Sequence, residues 1–416
     1  MDNVNPNENT VPKNMETYAE ILLKNLPQFF EVTTNSSSEE QKKYRNFLET
    51  NDKIVLCDST QDLDMFNYVS CDNDEKLVIK HSRGIIFNKN TLIARSFPYT
   101  IEFTHGQREN VVSLIEKYGM DKLKFYPSIE GTLIRMFFFN EKWYISTHRK
   151  LDAMTCTWGH VRESYGEMFL KELSKLGYDT KPWMDIENSN IENQDFTQYL
   201  DREKVYMFLL ASNDKTRIVS HTNGGVYFVG GFRNYTFFLD PPNNFPTLGE
   251  LEFSNIDDIF DYVSNVNPFM EQGIMIHFPD LLRVKILNDR YHYYFSLRGN
   301  LPSINFAYLK NRKNTKDNES FRKLYPNNVG TFDKYETTLD EVAVDLFNLY
   351  KEKYINGKYM VVSGQKHWIL KQCNDKYRKD RKEATLDDIK FFMEKQNHIT
   401  HNNFIREKLG LGKGEK

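Results

Sequence analysis

Four strings in this 416-residue chain carry side chains that could act on phosphates, nucleotides or RNA. Arg83, in Ser82-Arg83-Gly84, stands between two apolar runs, where a guanidinium needs either an ion-pair partner or a ligand. Ser146-Thr147-His148-Arg149-Lys150-Leu151-Asp152 gathers three cationic or titratable groups at a strand end. That grouping suits phosphate, and it equally suits a solvated hairpin end. Tyr291-His292-Tyr293-Tyr294-Phe295 offers ring surface for stacking bases, although alternation along a strand would bury half of it. Ser128, in Pro127-Ser128-Ile129-Glu130-Gly131-Thr132, has a hydroxyl that ionises far above neutrality and no neighbouring histidine base, so it is not an activated nucleophile. Trp143, Trp158 and Trp183 could sandwich a methylated cap guanine, given the right geometry. Gly410-Leu411-Gly412-Lys413-Gly414 lacks the strand, the spacing and the Ser or Thr of a phosphate loop and reads as a tail. His398 and His401 have no carboxylate at ligand spacing, so no metal site is assigned.

Positioning those groups falls to short elements. His81 to Asn88 and Leu92 to Pro98 read as buried strands, Gln107 to Tyr118 as a helix, and Leu133 to Phe139 with Trp143 to Thr147 as a hairpin turning at Asn140-Glu141-Lys142. Val205 to Leu210, Arg217 to Val219, Gln272 to Ile276 and Arg283 to Ile286 continue the β pattern. Turns such as Asn223-Gly224-Gly225 and Asp240-Pro241-Pro242 separate the runs. Ahead of them, Met1 to Asn14 reads as disordered, Met15 to Phe30 has helical spacing, and Glu39 to Glu49 looks like a helix capped by serine. Beyond Pro302 the period changes, with Leu339 to Tyr354 and Leu386 to Lys395 helical.

In order and spacing, residues 75 to 300 resemble the phage-type RNA ligases, the RNA ligase 1 branch of the covalent nucleotidyltransferase superfamily. The resemblance implies an α+β fold: a nucleotidyltransferase (ATP-grasp-like ligase) core of antiparallel sheets with helices, plus a mostly helical C-terminal domain that helps choose the RNA. It also implies a lysine in Lys-x-Asp-Gly that attacks the α-phosphorus of ATP, acidic side chains from later strands that hold the metal and ribose, and a Lys-x-Lys pair that neutralises phosphates.

Matched residue by residue, this chain departs from that pattern. Ser128 stands at the nucleophile position, Glu130 replaces the motif's aspartate, and Gly131 is kept. Leu210 falls where a carboxylate belongs. Gln272-Gly273 stands for Glu-Gly, with Glu271 able to substitute if the match slips by one. Lys285 is retained, while its partner position holds Leu287. Arg83 matches a position that contacts the nucleotide. The resemblance therefore implies a binding set of Arg83, Ser128, Glu130, Gly131, Arg149, Lys150, Gln272 and Lys285, with no confident catalytic residue. The expected function is a degenerate, non-catalytic relative of the RNA ligases that binds RNA, an RNA 5′ end or a nucleotide in the former adenylation cleft. An active ligase using a displaced lysine such as Lys122 or Lys124, with ATP and Mg as cofactors, stays open. So do a cap or 5′-end reader and a purely scaffolding role.

Composition bounds the rest. The formal net charge is -3, yet residues 310 to 416 carry about seven more basic than acidic groups and the remainder is acidic by about ten, so the C-terminal region could attract an RNA backbone. Lys376 to Lys382 reads equally as a solvated helix face. Four cysteines without a Cys-x-x-Cys pair argue against a disulfide framework or structural zinc. No apolar run reaches about eighteen residues and no secretory start is present, so no membrane partner is expected and a cytoplasmic setting is. The usage of Asn, Lys, Tyr, Phe and Ile, together with the family, points to a phage or large DNA virus and an infected host cell. Expected domains are a tail (1–14), the ligase-like domain (15–300, with N-terminal helices at 15–50) and a basic helical domain (301–416). Protein partners are unassigned.

Overall fold

The computed structural model describes residues 32, 36–157, 162–180, 183, 195–212, 218–219, 224–234, 236–279, 281–301, 303–362 and 364–411. The expected helix at Met15 to Phe30, Trp158 and most of the Gly410 string lie outside these residues. Contacts divide the chain into two compact units, residues 1–292 and 293–416.

The first unit is an α+β body of three sheets. Strands β1 (Ile54–Ser59), β2 (Asp64–Tyr68), β3 (Ile85–Asn88) and β4 (Thr91–Ala94) form an antiparallel meander. Strands β5 (Ile101–Phe103), β6 (Lys124–Ser128), β7 (Thr132–Phe139), β8 (Lys142–Ser146), β9 (Lys204–Ala211), β10 (Gly225–Arg233), β11 (Thr236–Phe238), β12 (Gly273–His277) and β13 (Arg283–Leu287) divide between two more. One has the order β11-β10-β9-β7-β8 and the other β5-β13-β12-β6, with β5 parallel to β13.

Period-2 alternation decides what each strand shows to either side. Phe125, Ile274, Ile276, Val284 and Ile286 bury into one core, which also takes Val111, Leu114 and Ile259. Those last three come from the helices Arg108–Tyr118 and Ile256–Asn265. The intervening residues Lys124, Tyr126, Met275, His277, Arg283 and Lys285 face the opposite side. The same logic buries Ile134, Met136, Phe208 and Leu210 behind the five-stranded sheet, against Phe169 and Leu173 of the helix Tyr165–Lys175.

Helix α1 (Ser38–Thr50) starts on a capping box in which the Ser37 hydroxyl accepts from Glu40 N–H and Glu40 returns to the Ser37 backbone. The run Tyr291 to Phe295 is not a strand: it lies in a helix spanning Asp289–Arg298. Asn288 Oδ1 accepts the backbone N–H groups of Arg290 and Tyr291 at 3.0 and 3.1 Å, an N-cap that commits the aromatic run to helical spacing.

The second unit is helical, with elements at Ile304–Asn311, Thr315–Leu324, Val329–Tyr350, Gly364–Asp380, Leu386–Glu394 and His398–Lys408. Its own core is built on the Tyr308–Phe332 stack (4.2 Å between centroids), with Leu346, Ile369, Ile389 and Ile405. Among the described residues no helix is long and apolar enough to cross a membrane.

Candidate functional site

Between the five-stranded sheet and the β5-β13-β12-β6 sheet of the first unit lies a cavity of about 480 Å³. Alternation puts Lys124, Tyr126 and Ser128 of β6 on its wall. Met275 and His277 of β12 and Arg283 and Lys285 of β13 line it by the same rule, and Leu133 and Leu209 come from the facing sheet. Arg83, Gly131, Gln272, Asp240 and Glu250 complete the polar lining.

At its inner end Ser128 (3 % exposed) donates its hydroxyl to Gln272 Oε1 at 3.0 Å, and Gln272 Nε2 donates to the Tyr291 hydroxyl at 2.6 Å. Three buried neutral groups thus share one chain. Backbone pairing fixes it, because Gly273 stands opposite both Ser128 and Leu287. A Cβ on Gly273 would lie 2.0 Å from the Ile286 carbonyl oxygen, and its φ of +142° is itself unfavourable for a side chain. Gly131 is constrained in the same way, since an added Cβ would meet the Leu210 carbonyl at 2.8 Å.

Glu130 is buried but does not line the cavity. Its Oε2 accepts the backbone N–H groups of Ile218 and Val219, both at 3.0 Å. The Leu210 side chain is in the core, as is Leu287. Glu271 accepts from the Tyr262 hydroxyl at 2.6 Å and is not on the cavity wall.

The cations fall into two groups. Lys124 pairs with Glu250 at 2.9 Å and Lys285 with Glu102 at 3.0 Å. Among the described residues Arg83 donates to the Pro98 carbonyl, at 3.4 Å, and has no carboxylate partner. The Arg283 guanidinium carbon sits over Phe97, 3.8 Å from its ring centre, and the side chain meets His277 Nε2 at 2.9 Å. Burial, and then the neighbouring Arg83 charge, pull the Arg283 guanidinium down to about 9, so it stays cationic at neutral pH. Burial and the Arg283 charge hold His277 well below the usual histidine range, and it is neutral.

Arg149 and Lys150 do not line this cavity. Arg149 donates to the carbonyls of Tyr68 and Val69, each at 3.2 Å, and Lys150 pairs with Asp58 at 3.5 Å, so both belong to the first sheet. Lys122 is exposed away from the cavity. Trp143 packs on Phe138 and Tyr206, and Trp183 donates to Asp195; neither reaches the cleft. In the second unit Lys376 is ion-paired to Asp388.

His277, Arg283 and Tyr126 were not singled out in the sequence, although the signal was there. Once Lys285 is placed on one face of its strand, residue 283 must share that face, and the β12–β13 register then sets His277 opposite Arg283.

A divalent cation does not fit the positions that the sequence matches to acids. Leu210 offers no oxygen, the Gln272 carbonyl oxygen is taken by Ser128, and Glu130 Oε2 already takes two N–H donors. Among the described residues no three His, Cys, Asp or Glu side chains converge at ligating range.

Compared with known proteins, the chain is 30% identical over 337 residues to the immediate-early protein ICP-46 homolog of Invertebrate iridescent virus 6, covering 75% of this chain and 71% of that protein. It is 26% identical over 292 residues to the homolog of Invertebrate iridescent virus 3, covering 66% and 60%. Over 111 residues it is 23% identical to the immediate-early protein ICP-46 of Frog virus 3 (isolate Goorha), covering 27% of this chain and 28% of that protein. No family model matches. Among solved structures, an archaeal ATP-dependent RNA ligase is similar at a TM-score of 0.40 and 10% identity, covering 70% and 73% of the two chains. A putative ATP-dependent DNA ligase from Aquifex aeolicus is similar at 0.39 and 11%, covering 70% and 74%.

Proposed function

The chain belongs to the immediate-early ICP-46 proteins of iridescent viruses, and from the geometry of its cleft we propose that it binds a nucleotide or an RNA 5′ end between the five-stranded sheet and the β5-β13-β12-β6 sheet, without forming a lysyl-adenylate. One observation carries this reading: the residue matched to the ligase nucleophile is Ser128, whose hydroxyl is tied to the Gln272 amide and through it to Tyr291. A hydroxyl with an amide for a neighbour has no base to take its proton and cannot form a phosphoramidate. The lysine nearest to replacing it, Lys124, is held by Glu250. Retained cations and a roomy cleft support binding; the loss of the amine and of the acids removes the chemistry. A site, not its scaffold, defines function.

The test is incubation of the full chain with α-labelled ATP and magnesium, followed by denaturing electrophoresis. No covalent label is expected, while ATP or a short RNA binds reversibly by titration calorimetry. An acid-labile adenylate on the protein would overturn the proposal.

A further inference from the structure

The cleft carries more positive charge than its own acids balance. Of its four lining cations, Lys124 and Lys285 have carboxylate partners, whereas among the described residues neither Arg83 nor Arg283 has one. Hydrogen-bond inventory leads to the same place. A guanidinium only donates, so His277 Nε2 must accept from Arg283, which leaves the ring proton on Nδ1. That Nδ1–H, on a side chain only 8 % exposed, finds no acceptor among the described residues; nor do the buried Nε–H groups of Arg83 and Arg283. Unsatisfied buried donors and unneutralised guanidiniums are costly unless something supplies lone pairs and negative charge.

We propose that Arg83, Arg283 and His277 hold a phosphate group in the cleft without a divalent cation. Guanidiniums match phosphate oxygens in charge and in planar, two-pronged geometry. The Phe97 ring packs against that fork, 3.8 Å from the guanidinium carbon to the ring centre. In phosphoryl-transfer sites a metal ordinarily neutralises phosphate charge; here the residues at the acid positions cannot hold one, and arginine supplies the charge. The assignment rests on reading the cleft as a nucleotide or RNA-end site. Its chemistry is that of a phosphate dianion, whether from a nucleotide or from the 5′ terminus of an RNA.

Titration calorimetry on the full chain in EDTA tests it, with inorganic pyrophosphate, ATP, and matched 5′-phosphorylated and 5′-hydroxyl RNA oligonucleotides as probes. Wild type and the Lys117→Met control are expected to bind at least one phosphate probe equally well. Arg283→Gln and Arg83→Gln should each weaken it about tenfold or more. Preference for ATP and pyrophosphate identifies a nucleotide site; preference for 5′-phosphorylated over 5′-hydroxyl RNA identifies an RNA end. Should one arginine variant fail to fold, the other decides. If ATP or RNA binds but only with magnesium, or binds both variants as tightly as wild type, the anion assignment falls and the cleft reading stands. If no probe binds the wild type, both fall.

Discussion

Ser128, Gln272 and Tyr291 behave as one unit, because each is buried and the amide serves both hydroxyls. Truncating Gln272→Ala strands the Ser128 donor and removes a partner from Tyr291. Unfolding free energy, read by urea titration, should fall by about 1–3 kcal/mol; a loss within error would mean that the relay contributes nothing. Restoring the ligase-like pair is a sharper trial. Ser128→Lys alone sets an ammonium against an amide and should destabilise, whereas adding Gln272→Glu supplies its counter-charge, so the two changes should couple favourably by about 1–3 kcal/mol in a double-mutant cycle. On the proposed match, which sets a second carboxylate at position 210, even then no adenylate is expected by intact mass, since Leu210 is a buried leucine. The residue types at 128 and 272 are legible in the sequence, and matching them to a ligase motif is part of the proposal. What Gln272 touches is not legible there, because Ser128 and Tyr291 lie far from it along the chain and meet it only through strand register and a helix start.

Strand pairing is what turns those residue types into a cleft. Gly273 pairs on one side with Ser128 and on the other with Leu287, so it joins β6, β12 and β13 where space is least. A Gly273→Ala change should force the strand away from the Ile286 carbonyl and cost upward of about 2 kcal/mol, with loss of ligand binding by titration calorimetry in whatever folded protein remains. A fully stable, fully binding alanine variant would show that the pairing there is looser than described. Runs such as Leu133 to Phe139 and Gln272 to Ile276 are readable because alternation is a local signal, whereas Ile218 and Val219 lie in no strand and His81 ends the helix Leu77–His81. The rings of Tyr291 to Phe295 suggest strand alternation, while the cue that decides for the Asp289–Arg298 helix is the single Asn288 cap just before them. Arg283 and His277 escaped notice for a related reason: a face is assigned only after one of its residues is fixed.

Across the whole molecule, charge burial rather than net charge sets the response to acid. His81 and His148 are each pulled down to about 3, chiefly by burial and then by neighbouring cations: Arg95 and Lys80 for the first, Arg83, Arg149 and Arg135 for the second. His277 is lowered in the same direction. In the unfolded chain each titrates near about 6.5. Between that value and about 3 the unfolded state therefore binds more protons than the folded one, so stability is complete above about 6.5 and falls as pH drops, by at most about 1.4 kcal/mol per pH unit for each histidine. The carboxylates held low, such as Glu75 beside Lys53 and Asp388, whose ties to Lys376 and Thr385 outweigh its burial, lose their contribution only below about 4.5, so the two effects separate along the pH axis. Urea titrations at pH 7.5, 6.5 and 5.5 should show a clear decline across the last step. His148→Gln, which cannot take up the proton, should make that decline shallower. A profile flat from 7.5 to 5.5 in the wild type would mean that these rings reach water and accept protons while folded, and the neutral His277 that orients toward Arg283 would go with it.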